Sequence, residues 1–244
     1  MRQVAAVILR ELIVFRRRFW RYFFSFSISP FLYLVAFGWA GKARLGEEGT
    51  SYSLFLIPGL VAMSSMSNSF SLAMEINVAR FYWRTFDEIR SAPVTDVAYV
   101  TGAVISGMIR GLFAAGIVIA LGLVFGVPLS MSPWLPVSVV LNTFVFAALA
   151  VSAAMLAKKH ADQSLINSFI ITPMAFLCGT FFPVDYYPSW IQTLMELLPL
   201  THASAAIRAA ALGDAVPIVS IGYLAVFGTV AFYIAVRVVR LSRN

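Results

Sequence analysis

The sequence predicts an all-α integral membrane protein: an N-terminal interfacial amphipathic helix, six transmembrane helices, and short re-entrant helices before the last span. Three observations predict this. Of 244 residues 60% are hydrophobic and only 12% charged, against about 25% charged in soluble domains. Uncharged stretches cover residues 22–41, 50–74, 111–157, 163–184 and 215–236, and roughly 20 apolar residues suffice to cross the ~30 Å hydrocarbon core. The short alternating polar and apolar segments of an outer-membrane barrel are missing from the sequence.

Residues 1–20 form the first element. Val4, Ile8, Leu12, Phe15 and Phe19 recur at helical spacing, with Arg10, Arg17 and Arg21 on another face. Such a helix rests in the headgroup layer, where Arg10, Arg16, Arg17 and Arg18 meet phosphate and the neighbouring aromatics sit at the interface. It is a topology anchor on one reading and a contact surface for a cytoplasmic partner on the other. The charged start leads straight into a full span without a small-residue cleavage site, so it does not read as a cleavable signal.

The spans are expected at about 22–40, 52–75, 98–125, 134–157, 164–183 and 217–237, which leaves no room for a separate soluble domain. GVPLSMSPWLP (126–136) turns the chain between the third and fourth. Six spans place both termini on one side. That side holds Arg2, Arg10, Arg16, Arg17, Arg18, Arg21, Arg80, Arg84, Arg90, Lys158, Lys159, Arg237, Arg240 and Arg243, fourteen basic residues against Lys42, Arg44 and Arg208 opposite. The positive-inside rule makes both termini cytoplasmic, as in a protein of the cell inner membrane. The net charge of +7 then needs anionic lipid headgroups and no nucleic acid.

INVARFYWRTFDEIRSAPVTDV (76–97) follows span two. Phe81, Trp83, Phe86 and Ile89 offer apolar knobs, and Asp87, Glu88 and Arg90 polar ones. A short helix stopped before Pro93 can dock into a groove on another subunit; a solvated loop explains the charges but not the crowded aromatics.

FFPVDYYPSWIQTLMELLPL (181–200) is too apolar for a loop and too broken by Pro183, Pro188 and Pro199 for a span. Ser189 and Gln192 have the spacing of a capping box for one short helix, and THASAAIRAAAL ends at Gly213 as a second. Residues 184–213 thus read as two amphipathic helices in the outer leaflet.

Polar groups inside the spans are few. Arg110 is basic within span three, a substrate or pore residue unless it snorkels. Asn68, among Ser64, Ser65, Ser67, Ser69 and Ser71, and Asn142 read either as interhelical hydrogen-bonding groups or as a polar pore wall. Glu75 and Asn77 end span two. His160 and His202 lack metal-ligand spacing, and His202 reads as ordering the PLTH turn. Cys178 reads as a buried small residue. No catalytic, metal or cofactor-binding set is visible.

FLCGTFFPVDYYPSWIQTLMELLPLTHASAAIR (176–208) resembles the C-terminal signature of the type-2 ABC exporter permeases, nearest the branch with nodulation-factor, polysaccharide and drug exporters. The matching residues are Gly179, Phe182, Pro183, Asp185, Pro188, Pro199, Leu200, His202 and Arg208; the pair Tyr186 and Tyr187 departs from the pattern, which more often has an aliphatic residue. The resemblance implies a permease working as a dimer, most simply a homodimer, with two cytoplasmic ATPase subunits that hold ATP and magnesium. It implies that loop 80–92 is the coupling helix, through Phe86, Asp87, Glu88, Ile89 and Arg90, and that Phe181, Phe182, Tyr186, Tyr187 and Trp190 line the outer exit. The chain has no G-x-x-x-x-G-K-[ST] phosphate loop, so it is expected not to be an enzyme. The expected substrate is a lipid-linked glycan, polysaccharide or similar large amphiphile moved outward. A hydrophobic drug is the alternative; a membrane-embedded lipid-processing enzyme or a passive channel ranks lower.

Overall fold

A computed structural model describes residues 13, 16–39, 47–82, 95–130 and 132–243. Arg10 and the candidate coupling residues Phe86, Asp87, Glu88, Ile89 and Arg90 lie outside the described residues. Every regular element among the described residues is helical. That is the expected solution for apolar chain in lipid, because a helix satisfies its own backbone polar groups.

In chain order the elements are α1 (Phe19–Tyr33), which runs into a π turn at Leu34–Trp39; α2 (Glu47–Phe70); α3 (Leu72–Phe81); α4 (Asp96–Val124); and α5 (Trp134–Leu156). Then come α6 (His160–Ile166), a π segment at Asn167–Ile171, α7 (Thr172–Leu177), a 3-10 turn at Val184–Tyr186, α8 (Ser189–Glu196), α9 (Pro199–Leu212) and α10 (Ile218–Arg243).

Four helical stretches are long and apolar enough to cross a membrane: Tyr52–Phe81, Asp96–Val124, Trp134–Leu156 and Ile218–Ser242. They match the expected spans two, three, four and six. The second runs on to Phe81 past the expected end at residue 75, because its late polar side chains find partners on neighbouring helices. In the expected first span a helix passes into a π segment, and the expected fifth is a helix with a π segment inside it that ends at Leu177. In the fifth, Pro173 has no N–H for the carbonyl four residues earlier. The chain there closes a wider turn, with the Thr172 N–H reaching the Asn167 carbonyl.

α2 is the hub. It packs on α4, α5 and α9, while α5 also receives α10 and α3, and α1 lies along α4. Leu56, Ile57, Leu60 and Met66 of α2 are fully buried with Val118 of α4, Phe146 and Val151 of α5, and Leu200 and Ile207 of α9. Small residues allow this approach. A Cβ on Gly111 would overlap Ser69 Oγ and lie 2.6 Å from Thr143 Cγ2 and 2.7 Å from the Ser65 carbonyl. A Cβ on Gly59 would lie 3.0 Å from Thr180 Cα. By contrast, Val219, Val226, Val230 and Ile234 of α10 are exposed, as a lipid-facing stripe would be.

α9 starts with Pro199 in its first turn and stops at Gly213, whose φ of 83° is left-handed, as the sequence predicts. The capping box expected at Ser189 and Gln192 is absent. Pro188 is the N-cap and has no N–H for a reciprocal bond. Gln192 instead donates to the carbonyls of Tyr187 at 2.8 Å and Asp185 at 3.4 Å.

The contact between α2 and α4 is testable. Gly111→Val should destabilise the protein by about 1–3 kcal/mol through overpacking, whereas Gly116→Ala, whose Cβ would meet nothing, should not. Thermal unfolding in detergent measures both, and equal melting would mean that α2 and α4 are not tightly apposed.

Candidate functional site

A cleft of about 520 Å³ opens between α1, the end of α2, the start of α3 and the interrupted helix α6–α7. Ser25 and Ser29 reach it from α1, Ser67 and Asn68 from α2, and Asn167 and Thr172 from the π segment and its border. Phe26, Tyr33, Phe70 and Phe176 complete the wall, and no acidic or basic side chain is among the described residues lining it. The lining is therefore one of hydroxyls, amides and aromatic faces. It can hydrogen-bond a neutral polar group and cover an apolar one, and the described residues give it no counter-charge.

The candidate polar residues separate here. Asn68 lines the cleft and donates to the Ser64 carbonyl at 2.9 Å. Asn142 lies inside the bundle, donating to the Ala62 carbonyl at 3.0 Å and to Ser65 Oγ at 2.8 Å. Arg110 is buried rather than snorkelling: it pairs with Glu75 and lies over the Tyr22 ring, 5.7 Å from its centroid. Arg16, Arg17 and Arg18 are exposed at the start of α1.

Tyr33 and Phe176, on the cleft wall, continue into an aromatic cluster at one end. Phe181 sits at its centre, with ring centroids 5.2 Å from Tyr33, 5.5 Å from Phe37 and 5.2 Å from Phe176. It is only 2% exposed, and the Tyr52 hydroxyl donates to its carbonyl at 3.1 Å. Phe182, Tyr186 and Trp190 point outward and are exposed, and Tyr187 is half-buried. The five expected exit residues thus divide into one core aromatic and four surface or near-surface ones.

Arg208 on α9 holds this end together. Its Nη2 donates to the Gly179 carbonyl at 2.5 Å and to the Phe55 carbonyl at 3.5 Å, and its guanidinium stacks 3.7 Å from the Phe55 ring centroid. Burial pulls its pKa down to about 10, which leaves it charged at neutral pH. Ser204 Oγ donates to the Cys178 carbonyl at 2.7 Å, and Cys178 is buried and free. His202 bridges the Glu196 carbonyl and Ser220 Oγ at 2.9 and 3.3 Å while stacking on Tyr223, which orders the PLTH turn as expected. Among the described residues no three His, Cys, Asp or Glu side chains gather to hold a metal ion.

Sequence reading missed Gln163, Asn167 and Thr172 of the cleft wall. The available signal was their polarity within an apolar run, close behind Lys158 and Lys159.

If Arg208 acts through stacking and paired carbonyl bonds, Arg208→Lys should cost about 1–3 kcal/mol, since an ammonium can neither stack nor fork. Thermal unfolding in detergent reads this; a melting point equal to the parent's would make Arg208 a passive surface cation.

Comparison with known proteins is consistent with this architecture. Residues 2–212 match the model of a family described as ABC-2 type transporter. The "Inner membrane transport permease YadH" of Escherichia coli (strain K12) is 33% identical over 212 residues, covering 85% of this chain and 82% of that protein. "Nodulation protein J" of Neorhizobium galegae is 30% identical over 222 residues and that of Rhizobium meliloti (strain 1021) 31% over 220, each covering 87% of this chain and 83% of the relative. This integral membrane protein belongs to the ABC-2 type transporter family, as a transporter permease.

Proposed function

We propose that the chain is the membrane permease of an ATP-driven exporter that moves a lipid-linked glycan, polysaccharide or similar large amphiphile across the inner membrane. The observation that carries this reading is the uncharged cleft of hydroxyl, amide and aromatic groups between α1, α2 and α6–α7. Sugar rings offer hydroxyls to such a wall and apolar faces to its aromatics. The name of the Escherichia coli relative supports transport in the inner membrane, and the likeness to the nodulation-factor branch supports an amphiphilic glycan.

In this reading α1 with its π turn and α6–α7 with theirs are spans one and five. They comprise 15 and 6 residues, and 7, 5 and 6 residues, near the length that a ~30 Å crossing needs at about 1.5 Å per residue. Both termini are then cytoplasmic. Arg80 bonds to the end of α5, just before Lys158 and Lys159, and Arg240 pairs with Asp96 at the start of α4, in keeping with that orientation. The segment 184–213 forms re-entrant helices in the outer leaflet. Two permease copies pair, each bound through residues 80–92 to a cytoplasmic ATPase that carries ATP and magnesium. A hydrophobic drug is the second reading, favoured by Met63, Met74 and Phe70 in the cleft wall.

The test is affinity purification of the chain from its native membrane in mild detergent with mass spectrometry of what accompanies it. A P-loop ATPase near equal stoichiometry is expected. Combined replacement of Asp87, Glu88 and Ile89 by Ala should remove it and abolish transport while leaving the permease in the membrane. A lone chain at every detergent strength would refute the exporter reading.

Asn68→Leu should alter substrate export without loss of the bound ATPase, because Asn68 faces the cleft and makes only a local bond to its own helix. Unchanged export would remove the cleft from the transport path.

A further inference from the structure

The cleft is itself amphipathic along its length. Tyr33, Phe37 and Phe176 meet Phe181, and Tyr52 bonds to its carbonyl. Rising numbers on α1 and α6–α7, and falling numbers on α2, therefore lead toward the aromatic cluster. In the half nearer that cluster the wall is mostly apolar, with Tyr33, Met63, Ile171, Ala175 and Phe176. In the other half three elements each present polar side chains four residues apart. These are Ser25 and Ser29 on α1, Ser64 and Asn68 on α2, and Gln163 and Asn167 on α6 and its π segment. Side chains so spaced share a helix face about 6 Å apart, so the three pairs form a polar band about one turn deep.

Most of this band is uncommitted. The hydroxyls of Ser25, Ser29 and Ser64, Asn68 Oδ1, Gln163 Nε2 and the Asn167 side-chain amide make no hydrogen bond among the described residues. Polar groups turned into a cavity are satisfied there by a ligand or by water. Hydroxyls and amides both donate and accept, which suits a group that does the same, as a sugar hydroxyl does. Phe26, Phe70 and Met74 stand among them and offer apolar faces at the same level. An ionised head would lose its hydration here without gaining a counter-charge from the described residues. At about 520 Å³ the cleft falls in the roughly 300–1,000 Å³ range of small-ligand sites. It therefore takes the junction of a head and a chain rather than a whole polymer.

We propose that the cleft binds an amphiphile in one fixed sense, with an uncharged, hydroxyl-rich head against the polar band and the apolar chain toward Tyr33, Met63 and Phe176. This deepens the exporter reading and rests on it for passage of the molecule across the membrane. A phosphate-bearing head and a hydrophobic drug without a head are both excluded from this site.

The experiment uses the full chain with its co-purified ATPase in lipid nanodiscs. Its probes are two octyl glucosides carrying a photoreactive diazirine, one at the end of the chain and the other on the sugar, and crosslinked residues are mapped by mass spectrometry. The chain probe should mark Tyr33, Met63 or Phe176, and the head probe Ser29, Asn68 or Asn167. Unlabelled octyl glucoside should compete about ten-fold better than octanol, the worth of one or two net hydrogen bonds. Octyl phosphate should compete no better than octanol. Asn68→Leu/Asn167→Leu should cut head labelling about ten-fold, and Asn68→Ser/Asn167→Ser, which keeps polar groups, should retain most of it. Should the leucine variant fail to assemble, the mapping and the competition in the parent decide alone. Reversed labelling, or equal competition by octanol or octyl phosphate, would overturn the proposal. So would labelling confined to the exposed stripe of α10, an outcome that leaves the exporter reading intact if the ATPase is present. The expected labelling on a chain that brings no ATPase would instead sink the exporter reading and keep the site.

Discussion

The close seating of α2 against α4, α5 and α9 is the constraint on which the remaining architecture depends. Apolar side chains gain little by leaving lipid for a protein interior, so helices in a membrane hold together by dense contact and by polar bonds between them. α2 uses both. Its backbone comes near that of α4 at Gly111 and near Thr180, beyond α7, at its own Gly59, because neither glycine presents a side chain. Its serines and Asn68 bond within the bundle: Ser65 donates to the Val61 carbonyl and accepts from Asn142. A helix this polar can be buried only where such partners exist. Once one face of α2 is committed to α4, α5 and α9, the face with Ser67 and Asn68 is left for the cleft.

The helices on the other side of the cleft are built differently. α1 and α6–α7 both depart from α-geometry, and both do so beside the cleft. The contrast is physical: a wall of helices closely packed on the bundle, with a turn at Ser71, faces a wall whose hydrogen-bond ladder contains wider turns.

Elements governed by local chemistry were legible in the sequence. Composition and run length predict the long apolar helices α4, α5 and α10 to within a few residues, and Gly213 ends α9 as a left-handed C-cap should. Features that depend on distant partners were not. Glu75 and Asn77 look like the end of a span in the sequence, until Arg110 is known to face Glu75. The partner of Asn77 lies 86 positions away. Phe181 reads like its exposed neighbour Phe182, yet it fills the aromatic cluster with Tyr33, Phe37 and Phe176. At α8 the spacing was right and the geometry wrong, because Pro188 has no N–H to complete a capping box.

The two ends of the bundle use hydrogen bonding in different ways, and this divides their roles. At the end away from the termini, side chains bond to main-chain carbonyls: Tyr52 to Phe181, Arg208 to Gly179, Ser204 to Cys178 and Tyr223 to Leu197. Such bonds set the path of the chain whatever side chains it displays, so exposed positions such as Phe182, Tyr186 and Trp190 can change chemistry without loss of shape. At the other end Arg80 also bonds to main-chain carbonyls of α5, but Glu75 with Arg110 and Asn77 with Gln163 join side chain to side chain across helices. Each of these depends on both partners and on the relative position of two helices. Loss of one partner therefore costs more at a matched pair, where it leaves the other buried polar side chain unsatisfied, than at a bond whose acceptor is a carbonyl already held by its helix.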